Sequence, residues 1–161
     1  MNCRQLLRLL LLACALCAVA PVTMAEKRPV VFADTMPELP LLATVAIDNR
    51  VGVGAVAERE QFLVMNYEGW VYDPATADHK GRKFDSSIDR GHPLSVLHGV
   101  GRMIQGLDKG IEGMRVGGRR TLVIPPDMGY GNRWAFGEVP PGSTLIFEVE
   151  LLDVVPQQNV R

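Results

Sequence analysis

The segment TLIFEVELLDV, at residues 144–154, carries the strongest strand signal in the chain. Its residues alternate between an apolar face and a face that includes two glutamates: Leu145, Phe147, Val149 and Leu151 on the first, and Ile146, Glu148, Glu150 and Leu152 on the second. Successive side chains of a strand point to opposite faces of the sheet, so this period of two predicts a strand with one buried side.

Further strands are predicted upstream of that segment. Residues 61–72 also alternate, with an apolar face formed by Leu63, Met65, Tyr67, Gly69 and Val71. Residues 43–47 and 119–124 are shorter strand candidates, and Pro125 ends the second of them because proline cannot donate to a ladder.

Polar segments separate these strands. Residues 48–50 are predicted to form a turn, and residues 73–83 a polar hairpin loop that Pro74 begins. Ser86 and Ser87 lack a nucleophile-elbow pattern and are interpreted as hydrogen-bonding a bend.

One helix is predicted from an apolar stripe spaced three, four and three residues apart: Ile104, Leu107, Ile111 and Met114. Gly117 and Gly118 supply its C-terminal stop. Several antiparallel strands with a single amphipathic helix predict an α+β fold, in which a curved sheet wraps on that helix.

The composition is that of a globular domain with additional segments. The chain has 161 residues, 47% hydrophobic and 22% charged, with a formal net charge of −1. This excludes intrinsic disorder as the main state. A nearly neutral chain also has no general electrostatic reason to bind nucleic acid.

The first 25 residues have the pattern of a secretory signal peptide. Arg4 and Arg8 precede an unbroken apolar run at residues 9–20, and Thr23 and Ala25 are small residues before a cleavage site. We therefore expect cleavage after Ala25 and an exported, periplasmic protein with no stable membrane span after processing.

Two other interpretations of this segment stay open. Residues 9–25 could be an uncleaved membrane anchor, although 17 residues is short for a span. Residues 11–14 resemble a lipoprotein processing site; the mass of the mature protein separates the three cases. Cys3, Cys14 and Cys17 all lie in this segment. Its cleavage would exclude disulfides, a zinc–cysteine site and a cysteine nucleophile.

Two motifs with other chemical meanings are set aside. Residues 52–57 fit a dinucleotide-binding glycine pattern, but a strand rather than a helix follows, so we interpret them as a glycine turn. His79, His92 and His98 lack metal-ligand spacing and are interpreted as surface histidines.

Aromatic residues next to turns are the unusual feature of the chain, and they include Trp134 and Phe136. Read in order, the segments resemble the FKBP-type peptidyl-prolyl cis/trans isomerases, in particular the secreted bacterial type. The matching motifs are YEGW (67–70), GRKFDSS (81–87), MIQGL (103–107), GIEGMRVGGRR (110–120), IPP (124–126), GYG (129–131), VPP (139–141) and TLIFEVELL (144–152).

The resemblance implies a curved antiparallel half-barrel sheet around one short helix, with a proline pocket between them. It covers residues 61–154, within an isomerase domain predicted at 44–155 with a tail at 156–161. Residues 26–43 contain three prolines and lack clean periodicity, so they are interpreted as an extended arm. The partners implied are proline-containing polypeptides, with macrolide inhibitors as ligands of the same pocket. Bond rotation breaks no bond, so no metal or cofactor is expected.

The resemblance also assigns the site. Asp85, Tyr130 and Phe84 match the catalytic positions, with the Tyr130 hydroxyl holding a substrate carbonyl and Asp85 facing the carbonyl that rotates. The expected substrate-binding residues are Tyr67, Arg90, Leu94, Met103, Ile104, Leu107, Val139 and Phe147.

Two positions and two loops depart from the family pattern and bear on specificity. The family usually has tryptophan at Leu107 and an aromatic residue at Leu94, and its short members differ in the loops at 73–81 and 132–137. An alternative function is therefore a chaperone-like binding module that uses the same apolar pocket without significant isomerase activity.

Overall fold

A computed structural model describes residues 41–156. The predicted signal peptide, most of the predicted arm and nearly all of the predicted tail lie outside the described residues. The elements in chain order are β1 (Val45–Arg50), β2 (Gln61–Tyr72), β3 (Lys80–Ser86), β4 (Leu94–Leu97), α1 (Gln105–Gly110), β5 (Arg119–Ile124), a short 3₁₀ helix (Pro126–Met128) and β6 (Leu145–Pro156).

The strands form one antiparallel sheet in the order β1-β5-β6-β2-β3. The first half of β2 pairs with β4 and its second half with β3. Register shifts interrupt β2 against β6 at Val64–Met65 and against β3 at Gly69–Trp70, and such shifts bend and twist a strand. The predicted class, a curved antiparallel sheet with one short helix, is confirmed.

The alternation of the two long strands places the core on the inner face of the sheet. On β2, Leu63, Met65 and Tyr67 are buried, and on β6 so are Phe147 and Val149. Ile146 is an exception on the outer face, because it is fully buried. Trp70 of β2 and Val123 of β5 are its partners on the two neighbouring strands, and they cover it.

The helix lies directly against β5 because two glycines face that strand. Gly106 and Gly110 are four residues apart and so share one helix face. A Cβ atom would lie 2.3 Å from Ile124 at the first glycine and 2.7 Å from Leu122 at the second. Leu107, which lies between these two glycines in the helix, is buried in the core.

Local predictions failed where long-range contacts decide the backbone. Residues 48–50 continue β1 rather than turning, because Asp48 pairs with Arg120 in the sheet and accepts its guanidinium hydrogen bonds. The polar hairpin loop ends early, since β3 begins at Lys80 and pairs with β2. The sequence did not reveal β4.

The helix is shorter than predicted and ends at Gly110. Beyond it, Gly113 has a φ of +74° and donates to Ala57, whose own N–H donates to Met114. The chain therefore turns to pair with residues near Ala57, although Ile111 and Met114 stay in the core as their spacing predicted.

Candidate active site

Four aromatic side chains from different elements meet on the inner face of the sheet. Phe84 of β3 lies edge-on to Phe147 of β6, with ring centroids 5.6 Å apart, and edge-on to Tyr130 at 6.1 Å. Tyr67 of β2 lies 6.0 Å from Phe147. Contacts of this kind hold the rings in one aromatic cluster, whose surface is the candidate substrate cleft of this chain.

The room for these rings depends on a glycine in β2. A Cβ atom at Gly69 would lie 2.9 Å from both Phe84 and Phe147. No real side chain tolerates such an approach, so any other residue would push the two rings apart. Gly69, which continues the alternation of β2, therefore leaves the space that the Phe84 and Phe147 rings occupy.

A polar network borders the aromatic walls. The Tyr67 hydroxyl donates to Asp85 Oδ2 over 2.6 Å and accepts from Arg90 Nη2 over 2.7 Å. Arg90 Nη1 donates to Asp85 Oδ1, and the guanidinium lies over the Tyr67 ring at 5.3 Å. Both carboxylate oxygens of Asp85 are therefore held, which fixes its orientation beside the cleft.

The two tyrosines of the site stay protonated at neutral pH. Burial raises the pKa of Tyr67, and the hydrogen bond to Asp85 raises it further, while Arg90 opposes the shift. Burial, with the charge of Asp85, raises the pKa of Tyr130 to about 12. The Tyr130 hydroxyl is therefore a hydrogen-bond donor at neutral and moderately alkaline pH.

The structure brings the remaining site residues of the sequence analysis to the same core. Leu107 and Val139 are buried within it, and Leu94, Met103 and Ile104 pack against it while partly exposed. Ile104 directly precedes α1 and is the residue that flanks its N-terminus.

Phe136 is a site residue that sequence reasoning left out. Its ring lies 5.8 Å from Phe84 and 5.7 Å from Tyr130. The sequence placed it among aromatic residues near turns but gave no contact for it. The available signal was the Phe136-Gly137 pair, two residues after a second aromatic, Trp134, in the same loop.

One prediction about the three histidines, that all of them lie at the surface, was wrong. No group of three or more histidine, cysteine or acidic side chains that could hold a metal gathers within residues 41–156. His98 is fully buried rather than at the surface. Its Nδ1 lies 2.9 Å from the Glu58 carbonyl and its Nε2 2.8 Å from the Asp108 carbonyl, so the ring joins the segment before β2 to α1.

The glycine pattern at residues 52–57 serves packing. A Cβ atom at Gly52 would lie 2.3 Å from the Arg115 carbonyl. Ser87 hydrogen-bonds Asn66 and the backbone of Tyr67, and Ser86 accepts from the Asp89 N–H.

Within the part of the chain described, no helix is long and apolar enough to cross a membrane.

Comparison with known proteins identifies the family. The model of the FKBP-type peptidyl-prolyl cis-trans isomerases matches residues 54–152. An FK506-binding protein of Neisseria meningitidis serogroup A is 48% identical over 107 residues, covering 66% of this chain and 92% of the relative. The chain therefore belongs to the FKBP-type peptidyl-prolyl cis-trans isomerases, and the family and enzyme class predicted from the sequence are confirmed.

Solved structures agree with this fold. FkpA from Escherichia coli is similar with a TM-score of 0.60 and 38% identity, over 70% of this chain and 48% of FkpA. AtFKBP13 is similar with a TM-score of 0.59 and 37% identity, over 68% of this chain and 91% of AtFKBP13.

Proposed function

We propose that this chain accelerates rotation about X-Pro bonds of exported polypeptides by binding the twisted amide in the cleft walled by Phe84, Tyr130 and Phe147. The observation that carries the proposal is the juxtaposition of these apolar rings with the held carboxylate of Asp85.

The energetic argument concerns solvation. Amide resonance keeps the X-Pro bond planar, with a barrier of about 18–20 kcal/mol to rotation. The twisted amide loses resonance and much of its charge separation, so it loses less than the planar form when water is removed. An apolar cleft therefore binds the twisted form more tightly, and each ~1.4 kcal/mol of difference gives about a tenfold rate increase.

Two polar groups orient the substrate in this proposal. The Tyr130 hydroxyl, protonated because its pKa is about 12, donates to a substrate carbonyl. Asp85 faces the carbonyl that rotates, held in place by Tyr67 and Arg90. Leu94, Met103, Ile104, Leu107 and Val139 complete the apolar surface that receives the proline ring.

The test is the rate at which purified protein equilibrates an X-Pro peptide. We expect strong acceleration by the wild type, and a loss of about tenfold or more in kcat/KM for Asp85→Leu and for Phe84→Ala. Asp89→Leu and Phe62→Ala are matched controls, because both residues are exposed and lie outside the cleft. Unchanged kcat/KM in both site variants would contradict the assignment.

Export is the second part of the proposal, and its support is the sequence of residues 1–25. We expect mature protein to begin at Glu26 and to fractionate with the periplasm. A mature mass that includes residues 1–25 would instead indicate an uncleaved membrane anchor. A mass that includes a lipid on Cys14 would indicate a lipoprotein.

The exposed aromatic residues near the cleft favour one alternative, a chaperone-like binding module. Trp134 is 67% exposed and Phe136 59% exposed, an unusual amount of aromatic surface for a loop. A module of this kind would suppress aggregation of an unfolded protein without accelerating proline isomerisation. Running both assays on the same sample separates the two functions.

A further inference from the structure

The loop beside the cleft ends in a tight turn, and the residue at the first central position of this turn, Phe136, has a positive φ. Phe136 and Gly137 have φ values of +53° and +69°, and the Glu138 N–H donates to the Ala135 carbonyl over 3.1 Å. Positive φ at both central positions is the pattern of a type I′ turn, which favours asparagine, aspartate or glycine. A phenylalanine at the first position is therefore locally unfavourable.

Contacts with the cleft explain how this conformation persists. The Phe136 ring contacts both Phe84 of β3 and Tyr130 of the preceding loop, tilted to the first and edge-on to the second. Arg82 of β3 also binds Glu138 over 2.5 Å, and Val139 is buried in the core. The turn is thus held to β3 through Phe84 and Arg82, and to the preceding loop through Tyr130.

Strain at a bulky residue is retained when the surrounding structure over-determines it, and such positions cluster at ligand clamps. Phe136 is nevertheless 59% exposed, so much of the residue stays open to solvent beside Phe84 and Tyr130. A bound chain that leaves the cleft on this side would meet the exposed part of Phe136.

We propose that Phe136 is a specificity-determining residue that selects an aromatic side chain immediately before the proline. This inference rests on the proposed function of the cleft. Phe84 and Tyr130 face the rotating amide in that proposal, and the carbonyl of this amide belongs to the residue before the proline. The wall next to them therefore faces that residue.

The rings already present set the expected preference. Phe84, Tyr130 and Phe136 contact one another with centroids 5.7–6.1 Å apart, and Tyr130 is edge-on to both of the others. A substrate ring against the exposed part of Phe136 would add one more aromatic pair of this kind. Such a pair corresponds to a gain of about two- to tenfold over an aliphatic side chain of similar size.

The experiment measures kcat/KM for two peptides that differ only in Phe or Leu before the proline. Phe136→Asn removes the ring while supplying a residue that accepts the positive φ, and Phe136→Tyr keeps the ring. Trp134→Ala is the matched control, because Trp134 is an exposed aromatic of the same loop that takes no part in the ring contacts at the cleft.

We expect the wild type, Phe136→Tyr and Trp134→Ala to favour the Phe peptide by about threefold or more, and Phe136→Asn to treat the two peptides alike. Equal rates for both peptides in the wild type, or an unchanged ratio in Phe136→Asn, would overturn the inference. Loss of the ratio in Trp134→Ala would overturn the assignment to Phe136. A wild type that accelerates neither peptide would instead refute the proposed function.

Discussion

The Tyr67 hydroxyl links the two charged side chains at the cleft, so its removal is a single-atom test of the site. It donates to Asp85 over 2.6 Å and accepts from Arg90 over 2.7 Å. Tyr67→Phe deletes this oxygen and keeps the ring that packs 6.0 Å from Phe147. The loss therefore reports the hydrogen bonds rather than the cleft wall.

The magnitude follows from burial and charge. A hydrogen bond to a charged group contributes about 1.5–3 kcal/mol to stability. Tyr67 is only 7% exposed, but the Arg90 side chain is 39% exposed and solvent screens its share. We therefore expect Tyr67→Phe to lower the free energy of unfolding by about 1.5 kcal/mol. Asp85 would keep only its contact with Arg90, and we expect kcat/KM to fall about tenfold.

The assay is equilibration of an X-Pro peptide, followed without a coupling protease, together with urea unfolding of the same samples. Tyr72→Phe is the matched control, because Tyr72 lies on the same strand and stacks on His79 away from the cleft. Since burial raises the pKa of Tyr67, the difference from wild type should be constant between about pH 6 and 9. Activity of Tyr67→Phe within about twofold of wild type would refute the reasoning.

Three further substitutions test the packing and the charges. Gly69→Ala places a Cβ atom 2.9 Å from the Phe84 and Phe147 rings, so we expect kcat/KM to fall at least about tenfold; an unperturbed rate would contradict the close contact. Leu107→Trp supplies the aromatic residue usual in the family, so we expect tighter binding of FK506 by titration calorimetry and a smaller change in kcat/KM; unchanged affinity would show that Leu107 does not limit this ligand. The hydrogen bond from Arg119 lowers the pKa of Glu150 below 4.5, so the ion pair stabilises the fold above that pH and is lost as pH falls through the lowered pKa. Glu150→Gln should cost under about 1 kcal/mol at neutral pH and flatten the acid limb of a stability–pH curve, which an unchanged limb would contradict.

Sequence patterns predicted the long elements because their alternation reflects a face that must be buried. Residues 61–72 coincide with β2, and residues 144–154 lie almost wholly within β6. Short elements were less predictable, since β4 has four residues and is held by pairing with β2 rather than by its own pattern. The turn expected at residues 48–50 failed for the same reason: pairing with β5 outweighs local preference.

By itself, the order of motifs determined the family, the fold class and which side chains to consider at the cleft. Only the tertiary structure decided that Phe136 joins Phe84 and Tyr130, and that His98 is buried between two carbonyl groups. These contacts join residues that are not neighbours in the chain. Those of Phe136 also depend on the positive φ of that residue. A linear pattern records which faces are apolar; it does not record which distant groups meet, because that depends on how the whole sheet curves around the helix.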